Sequence, residues 1–162
     1  MHQKPQKGPQ EVPSARAKRM PVYTEIEIDR PPAQFLDFAA YPTWTQGYIK
    51  SLAREDPALA PGSKLRAVTA AATASPTVLA NSPDEFRWRG WFHGIPGLFT
   101  GEHMFVFEPS VATPGGTTFM QAEAFSGVLP ALKPQGAELW KSIEKDFVGF
   151  NEDLKKKCEG ER

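Results

Sequence analysis

Several features that would place a sequence in a functional class at once are missing from this 162-residue chain. Its single cysteine, Cys158, cannot form an internal disulfide, which excludes a disulfide-stabilised secreted framework. The 19 basic and 19 acidic residues cancel, so the chain lacks the basic surplus typical of nucleic-acid-binding proteins. No apolar run approaches the roughly 20 residues of a membrane-spanning helix, and residues 1–20 contain no signal-peptide core. We therefore expect a cytoplasmic protein with no nucleic-acid partner and no membrane span.

Sequence motifs for metals and cofactors are missing as well. The three histidines, His2, His93 and His103, are scattered and have no Cys or Glu at ligand spacing, so no metal site is expected. There is no glycine-rich phosphate loop, and the residues around Ser126 lack the glycine pattern of a nucleophile elbow. The sequence therefore predicts a protein that works without a metal or another cofactor.

The first 20 residues differ in composition from the rest. They carry five Lys and Arg residues against one acid, Glu11, with Gln and Pro between them and few apolar side chains. This composition predicts a disordered tail over residues 1–20, with a targeting or anion-binding arm as the alternative. Residues 21–159 are predicted to form a single domain.

Alternating and helical apolar patterns divide that domain into strands and helices. Val22, Thr24, Ile26 and Ile28 alternate with polar residues, which predicts a half-buried strand. Short helical segments follow over residues 33–40 and from Tyr41. The remaining strands are expected at residues 48–53, 64–71, 77–80, 84–92, 98–107 and 117–125.

A long helix is predicted from Pro134 to about Glu159. Its apolar residues recur at steps of three and four and form one stripe: Trp140, Ile143, Phe147, Phe150 and Leu154. Such a stripe must be buried against another element. The predicted fold class is α+β, with one curved antiparallel sheet of about six or seven strands wrapped around this helix. Space left between the sheet and the helix would form a pocket.

The motifs along residues 22–154 resemble those of the SRPBCC superfamily, the helix-grip fold of START lipid-transfer domains, birch-pollen-allergen-like proteins and polyketide cyclases. The resemblance is carried by Glu25-Ile26-Glu27-Ile28 before Pro31-Pro32, by Tyr41-Pro42-x-Trp44, by Phe86-x-Trp88-x-Gly90, by Pro96-Gly97-Leu98-Phe99-x-Gly101-x-His103-x-Phe105 and by Thr117-x-Phe119-x-Gln121-x-Glu123-x-Phe125-x-Gly127. It implies a cavity for an apolar small molecule. One departure is a shortened first helix, because Pro31-Pro32 runs almost directly into Phe35; this could widen the entrance of the cavity or weaken the domain.

His103 and Glu123 form the most specific candidate pair for chemistry. If Phe107 lies opposite Phe119 on adjacent strands, then His103 lies opposite Glu123. A carboxylate beside an imidazole raises the pKa of the imidazole and prepares an acid/base pair. The alternative is a buried polar pair that serves only to satisfy itself. A two-residue shift in register would bring Gln121 opposite His103 instead.

Three functions remain open at this stage. The first is binding of an apolar lipid, polyketide or terpenoid-like molecule by a monomer or homodimer. The second is a cyclase or dehydratase in which His103 and Glu123 are catalytic. The third is a protein-interaction module, as in co-chaperone relatives of the superfamily. The predicted ligand-binding residues are Trp44, Tyr48, Trp88, Phe105, Phe107, Phe119, Gln121, Phe125, Trp140 and Phe147.

Overall fold

Antiparallel strands packed against one long helix make up most of the computed structural model, which describes residues 12–31, 33–70, 72–91, 95, 97–132 and 138–160. The strands are β1 Val22–Ile28, β2 Ile49–Arg54, β3 Leu65–Thr69, β4 Thr73–Ala74, β5 Thr77–Asn81, β6 Glu85–Trp91, β7 Thr100–Pro109 and β8 Thr117–Ser126. The helices are α1 Pro13–Ala17, α2 Tyr41–Trp44, α3 Val128–Ala131 and α4 Glu138–Gly160, with 3-10 turns at Ala33–Leu36 and Phe38–Ala40. The predicted α+β helix-grip class is confirmed.

The strands form two sheets rather than the single sheet that the sequence predicts. Five strands pair in the order β1-β8-β7-β6-β5, and three pair in the order β2-β3-β4. An isolated bridge between Lys64 and Thr77 connects the two sheets. Pro76 stands beside this bridge, and because proline has no N–H to donate, the ladder between β3 and β5 is interrupted there. The short β4 folds back onto β3 instead.

Helix α4 lies with its apolar stripe against the sheet, as predicted. Phe147, Phe150 and Leu154 are fully buried, Trp140 is nearly so, and Ile143 is half-buried. Buried residues spaced in this way turn one face of the helix toward the interior. The predicted start at Pro134 lies outside the described residues, which place helix from Glu138 onward. Within the described ranges, no helix combines the length and the apolar character needed to cross a membrane.

Helix α1 covers the face of the sheet that points away from α4. Ala17 is fully buried there against Met104 and Ala122, with Met20 packed beside them. The predicted disordered tail is therefore wrong for residues 12–20. The reason lies in the sheet, whose outward positions on β7 and β8 are apolar and require a cover. Residues 1–11 lie outside the described residues, and disorder there stays a prediction.

Candidate functional site

The register of β7 and β8 places the predicted pair on the inner face of the sheet. His103 lies opposite Glu123, Phe105 opposite Gln121, and Phe107 opposite Phe119, as the sequence predicts. Successive side chains of a strand point to opposite faces, so all of these positions face α4. The alternative register is thus excluded.

The imidazole of His103 nevertheless takes Gln121 as its hydrogen-bond partner. Gln121 Nε2 donates to His103 Nε2 over 2.8 Å, which leaves the ring proton on Nδ1. The ring is stacked between Phe105, at a centroid distance of 4.3 Å, and Phe147, at 4.6 Å. Burial lowers the pKa of His103 to about 3, because the charged imidazolium would lose its hydration. The predicted increase of this pKa by Glu123 is wrong.

Glu123 is a buried carboxyl that carries no charge at neutral pH. Its side chain leans along the sheet onto Gly101, where the absence of a Cβ leaves room for Oε1. Only 8% of the residue is exposed, and desolvation raises the pKa of Glu123 to about 8. Within the described residues it has no hydrogen-bond or ion-pair partner. Gln121 Oε1 is likewise buried without a partner there.

Tyr48 connects this polar group with α4. Its half-buried ring lies 6.1 Å from that of Phe147. Burial and the nearby carboxyls of Glu123 and Asp146 raise the pKa of Tyr48 well above its ordinary value, and a hydrogen bond with Thr69 opposes this shift. The sequence did not single out Thr69 or Asp146, since neither stands in a motif.

Five of the predicted ligand-binding rings pack together as a closed core. Three of them contact Phe35, whose ring centroid is 4.7 Å from that of Phe105, 4.9 Å from that of Phe107 and 5.8 Å from that of Phe119. The shortened first helix, present as 3-10 turns, thus inserts a ring into the interior rather than opening a wider entrance. Sequence analysis missed Phe35 because its periodicity was assigned to a helix stripe. The predicted residues in this core are Trp44, Trp88, Phe105, Phe107 and Phe119.

Trp44 differs from the other rings of the core in having an unused polar atom. Its ring lies 4.8 Å from Tyr41 and 5.6 Å from Phe150. The indole Nε1 is buried and has no partner among the described residues. A tryptophan N–H buried in this way can only donate, so it is available to a ligand acceptor.

The remaining predicted rings form a half-open group at the other end of the sheet, which we call the mouth cluster. Phe125 and Trp140 stack at a centroid distance of 4.7 Å, and Phe99 lies 5.3 Å from Phe125. Several members are only half-buried, so this end is nearer to solvent than the core around Phe35. The members are Val22, Tyr48, Phe99, Phe125, Trp140, Ile143 and Phe147.

Glu123 lies next to the mouth cluster in the sheet. It pairs with Val22 across the β1–β8 ladder, and Phe125 is the next inward residue on its own strand. An open pocket of about 530 Å³ lies at this end of the sheet, mostly on its outward face. Its walls are Arg89, Trp91, Thr100, Glu102, Ala124, Phe125 and Ser126. A second pocket of about 320 Å³ lies apart from the site, between the 3-10 turns and β2.

Metal coordination finds no support in the described part of the chain. No three His, Cys, Asp or Glu side chains are grouped there in the way a metal ion requires. His2 and His93 lie outside the described residues.

Comparisons with known structures agree on the fold. A START superfamily protein from Mycobacterium smegmatis is 19% identical, with a TM-score of 0.62 over 86% of this chain and 97% of that one. The protein Ara h 8.0201 is 14% identical, with a TM-score of 0.61 over 84% and 94%. The di-domain ARO/CYC BexL from the BE-7585A biosynthetic pathway is 15% identical, with a TM-score of 0.56 over 90% of this chain and 53% of BexL.

No protein-family model and no curated protein sequence matches the chain. At identities this low, structural similarity establishes the fold and not the activity. The chain has the helix-grip fold that these structures share, as its motifs predicted.

Proposed function

We propose that this chain binds an apolar small molecule, of lipid, polyketide or terpenoid type, between the sheet and α4. One observation carries the proposal: Gln121 Oε1 is buried on the inner face without a partner in the described residues, two positions along β8 from the buried carboxyl of Glu123. Buried polar groups in proteins are nearly always hydrogen-bonded, so an unpartnered amide oxygen is costly to the fold. A ligand that supplies the missing partner would remove this cost.

The surroundings of Gln121 and Glu123 support a largely apolar ligand. Phe147 stacks on His103, which is hydrogen-bonded to Gln121, and Phe125 is the next inward residue after Glu123 on β8. Ligand sites of this kind combine apolar walls with a few polar groups that fix orientation. The START superfamily protein and Ara h 8.0201 share the fold, which is consistent with a ligand held between sheet and helix.

The mouth cluster is the proposed route of entry. Its rings pack on one another but remain half-buried, whereas Phe105 and Phe119 behind them are fully buried. Rotation of Tyr48 and Phe125 would open a path to Gln121 and Glu123 without disturbing the core around Phe35. Side-chain rotamer changes of this size are common on binding.

Binding can be tested with the neutral fluorescent probe N-phenyl-1-naphthylamine. We expect saturable binding to the wild-type chain and at least about tenfold weaker binding to Phe125→Ser, since the exposed hydroxyl replaces a ring that would contact the probe. Val111→Ser is the matched control, because Val111 is 98% exposed and far from the site in sequence and structure. Equal affinity of both variants, or no probe binding to the wild type, would refute the proposal.

A second function is favoured by the raised pKa of Glu123. A carboxyl that keeps its proton to about pH 8 can act as a general acid at neutral pH. This is the property that a cyclase or dehydratase needs when water leaves a polyketide-like substrate. His103 is less suited to act as its base, because the ring is stacked between two phenylalanines and its pKa is about 3.

Turnover of a polyketide-like substrate by Glu123→Gln and His103→Gln variants tests this second function. If Glu123 donates the proton, turnover by the glutamine variant falls about 10²–10⁴-fold while ligand affinity changes little. His103→Gln should then have the smaller effect. Unchanged turnover in Glu123→Gln would remove the acid from the mechanism.

A further inference from the structure

A closed network of contacts, which we call the amide network, joins the inner face of the sheet to α4. Thr24 on β1 pairs with Gln121 on β8, and the Thr24 hydroxyl donates to the backbone oxygen of Gln121 over 3.4 Å. Asn151 on α4 donates from Nδ2 to Thr24 Oγ1 over 2.9 Å. Phe147 lies one helical turn before Asn151 on the same face of α4. It stacks on His103, whose Nε2 accepts from Gln121, so the network closes on the residue where it began.

Two amide oxygens of this network have no hydrogen-bond partner in the part of the chain that the structure describes. Gln121 is fully buried and Asn151 is 2% exposed. In each residue the amide nitrogen donates within the network, to His103 or to Thr24, whereas the oxygen is unused. The two side chains come from opposite elements, the sheet and the helix, and Thr24 is bonded to both residues. Amide oxygens can only accept, so this place in the interior lacks a hydrogen-bond donor.

The neutrality of the amide network limits which donor fits. Its one titratable member, His103, is uncharged because burial opposes its protonation, and Glu123, two positions along β8, lies over Gly101 instead. An ammonium ion would lose its hydration here without gaining a counter-ion. A carboxylate or a ketone has no proton to donate and would leave both amide oxygens unpaired. A hydroxyl group supplies the donor without a charge.

We propose that Gln121 and Asn151 select a ligand that carries a hydroxyl group on an apolar body, with the hydroxyl donating to one of the two amide oxygens. This inference rests on the proposed function and specifies the chemical class of its ligand. The hydroxyl would lie between β8 and α4, and the apolar body would extend along Phe147 into the rest of the mouth cluster. Ligands that lack a donor are disfavoured, because a buried acceptor left unpaired keeps its desolvation penalty.

The order of affinities gives the inference a specific signature. By apolar burial alone, a hydrocarbon binds more tightly than an alcohol of the same shape, because a hydroxyl costs more to remove from water than a methyl group. A site built to hydrogen-bond a hydroxyl reverses this order. A methyl ether keeps the oxygen atom but loses the proton, so it should lose the advantage of the alcohol as well.

Three compounds that share one ring system test the inference: 2-(1-naphthyl)ethanol, its methyl ether, and 1-propylnaphthalene, in which a methyl group replaces the hydroxyl. Each is titrated against the complex of the protein with N-phenyl-1-naphthylamine. We expect the wild-type chain to bind the alcohol at least about tenfold more tightly than either of the other two compounds.

Replacement of each amide by an apolar side chain of similar shape identifies the acceptor. At least one of the variants Asn151→Leu and Gln121→Met should lose the preference for the alcohol and bind 1-propylnaphthalene more tightly, as apolar burial alone dictates. Glu152→Leu is the matched control, because it places leucine at the adjacent, exposed position of α4, and it should keep the preference. Retention of the preference in both amide variants would refute the hydroxyl site.

The outcomes separate the inference from the proposed function. If N-phenyl-1-naphthylamine binds but the ether or the hydrocarbon comes within about tenfold of the alcohol, the hydroxyl site is refuted and apolar binding stands. A buried water that already satisfies the two oxygens would give this result. If neither that probe nor any of the three compounds binds, the proposed function fails, and the hydroxyl site fails with it. The comparison on the wild-type chain decides the matter even if neither amide variant folds.

Discussion

The carboxyl of Glu123 occupies the space in which a side chain of Gly101 would begin. The two residues lie on adjacent strands, where Gly101 pairs with Phe125 and His103 pairs with Glu123, and the glycine leaves room for Glu123 Oε1 to lie over β7. An alanine Cβ at position 101 would overlap Glu123 Oε1. The position of the acid therefore depends on the absence of one methyl group from its neighbour.

Gly101→Ala should destabilise the protein by about 1–3 kcal/mol, since the carboxyl must move within a packed interior. The cost should fall below about 1 kcal/mol in a Glu123→Ala background, where the overlap is gone. Urea denaturation of the two single variants and the double variant measures this coupling. Gly149→Ala is the control: it meets no atom within 4 Å, and alanine in the middle of α4 should stabilise by up to about 1 kcal/mol. Equal costs of Gly101→Ala in both backgrounds would contradict the described contact.

Stability should fall as the pH rises from about 4.5 to about 8, because over this range Glu123 is ionised in the unfolded chain and protonated in the folded protein. Unfolded Glu123 loses its proton near pH 4.5, whereas the folded protein retains it to about pH 8. The unfolded state therefore binds fewer protons between these values, and the free energy of unfolding decreases with increasing pH. Glu123→Gln removes this dependence. Between pH 5 and pH 8, the free energy of unfolding of Glu123→Gln, measured by urea denaturation, should increase by at least about 1 kcal/mol relative to that of the wild type. Parallel pH profiles of the two proteins would show that the Glu123 carboxyl is not desolvated.

His103 should produce the opposite dependence at acidic pH. Its pKa falls from 6.5 to about 3 on burial, so below pH 6.5 the unfolded chain takes up a proton that the folded protein does not. The free energy of unfolding then decreases as the pH drops from 6.5 toward 3. His103→Gln should flatten this part of the profile. NMR titration of the imidazole provides an independent check, and a midpoint above pH 5 would be inconsistent with the stacked, buried ring.

Phe147→Ala should cost about 3–5 kcal/mol, because the ring is fully buried and stacks on the imidazole of His103. The adjacent Val148 is 48% exposed, so Val148→Ala should stay within about 0.5 kcal/mol of the wild type. Denaturant melts of both variants test the orientation of α4. A loss of stability below about 1 kcal/mol for Phe147→Ala would mean that the face of α4 that carries Phe147 is not buried against the sheet.

Truncation separates the two parts of the N-terminal segment. Removal of residues 1–11 should leave the thermal midpoint unchanged, because these residues have little apolar surface to bury. Removal of residues 1–20 should lower it by about 5 °C or more, since Met104 and Ala122 lose the cover that α1 provides. Equal midpoints for the two truncated chains would mean that α1 adds nothing to the fold.

The sequence predicted the features that follow from periodicity. Alternation along β7 and β8 was sufficient to derive the pairing of His103 with Glu123, because one buried face permits a single register. The spacing of Phe147, Phe150 and Leu154 likewise determined which face of α4 is buried. Patterns of this kind repeat over many residues, so that a single exception does not change them.

Features that depend on one contact could not be derived in this way. Gln121 and Glu123 are both within reach of His103, and the choice between them depends on where Gly101 leaves space. Helix α1 buries essentially one side chain, Ala17, and so leaves no apolar periodicity in its own residues. Its presence was indicated only indirectly, by the apolar residues at the outward positions of β7 and β8.

Because α1 covers the outer face, strands β7 and β8 are enclosed on both sides over part of their length. Met104, Val106, Met120 and Ala122 point outward and are nonetheless buried. In a sheet with one wet face, tolerance to substitution alternates from one residue to the next. On β7 and β8 this alternation should vanish beneath α1, where both faces are buried, and should return beyond α1, at Glu102 and Ala124. A complete substitution scan of these two strands would therefore trace the outline of the N-terminal helix on the sheet.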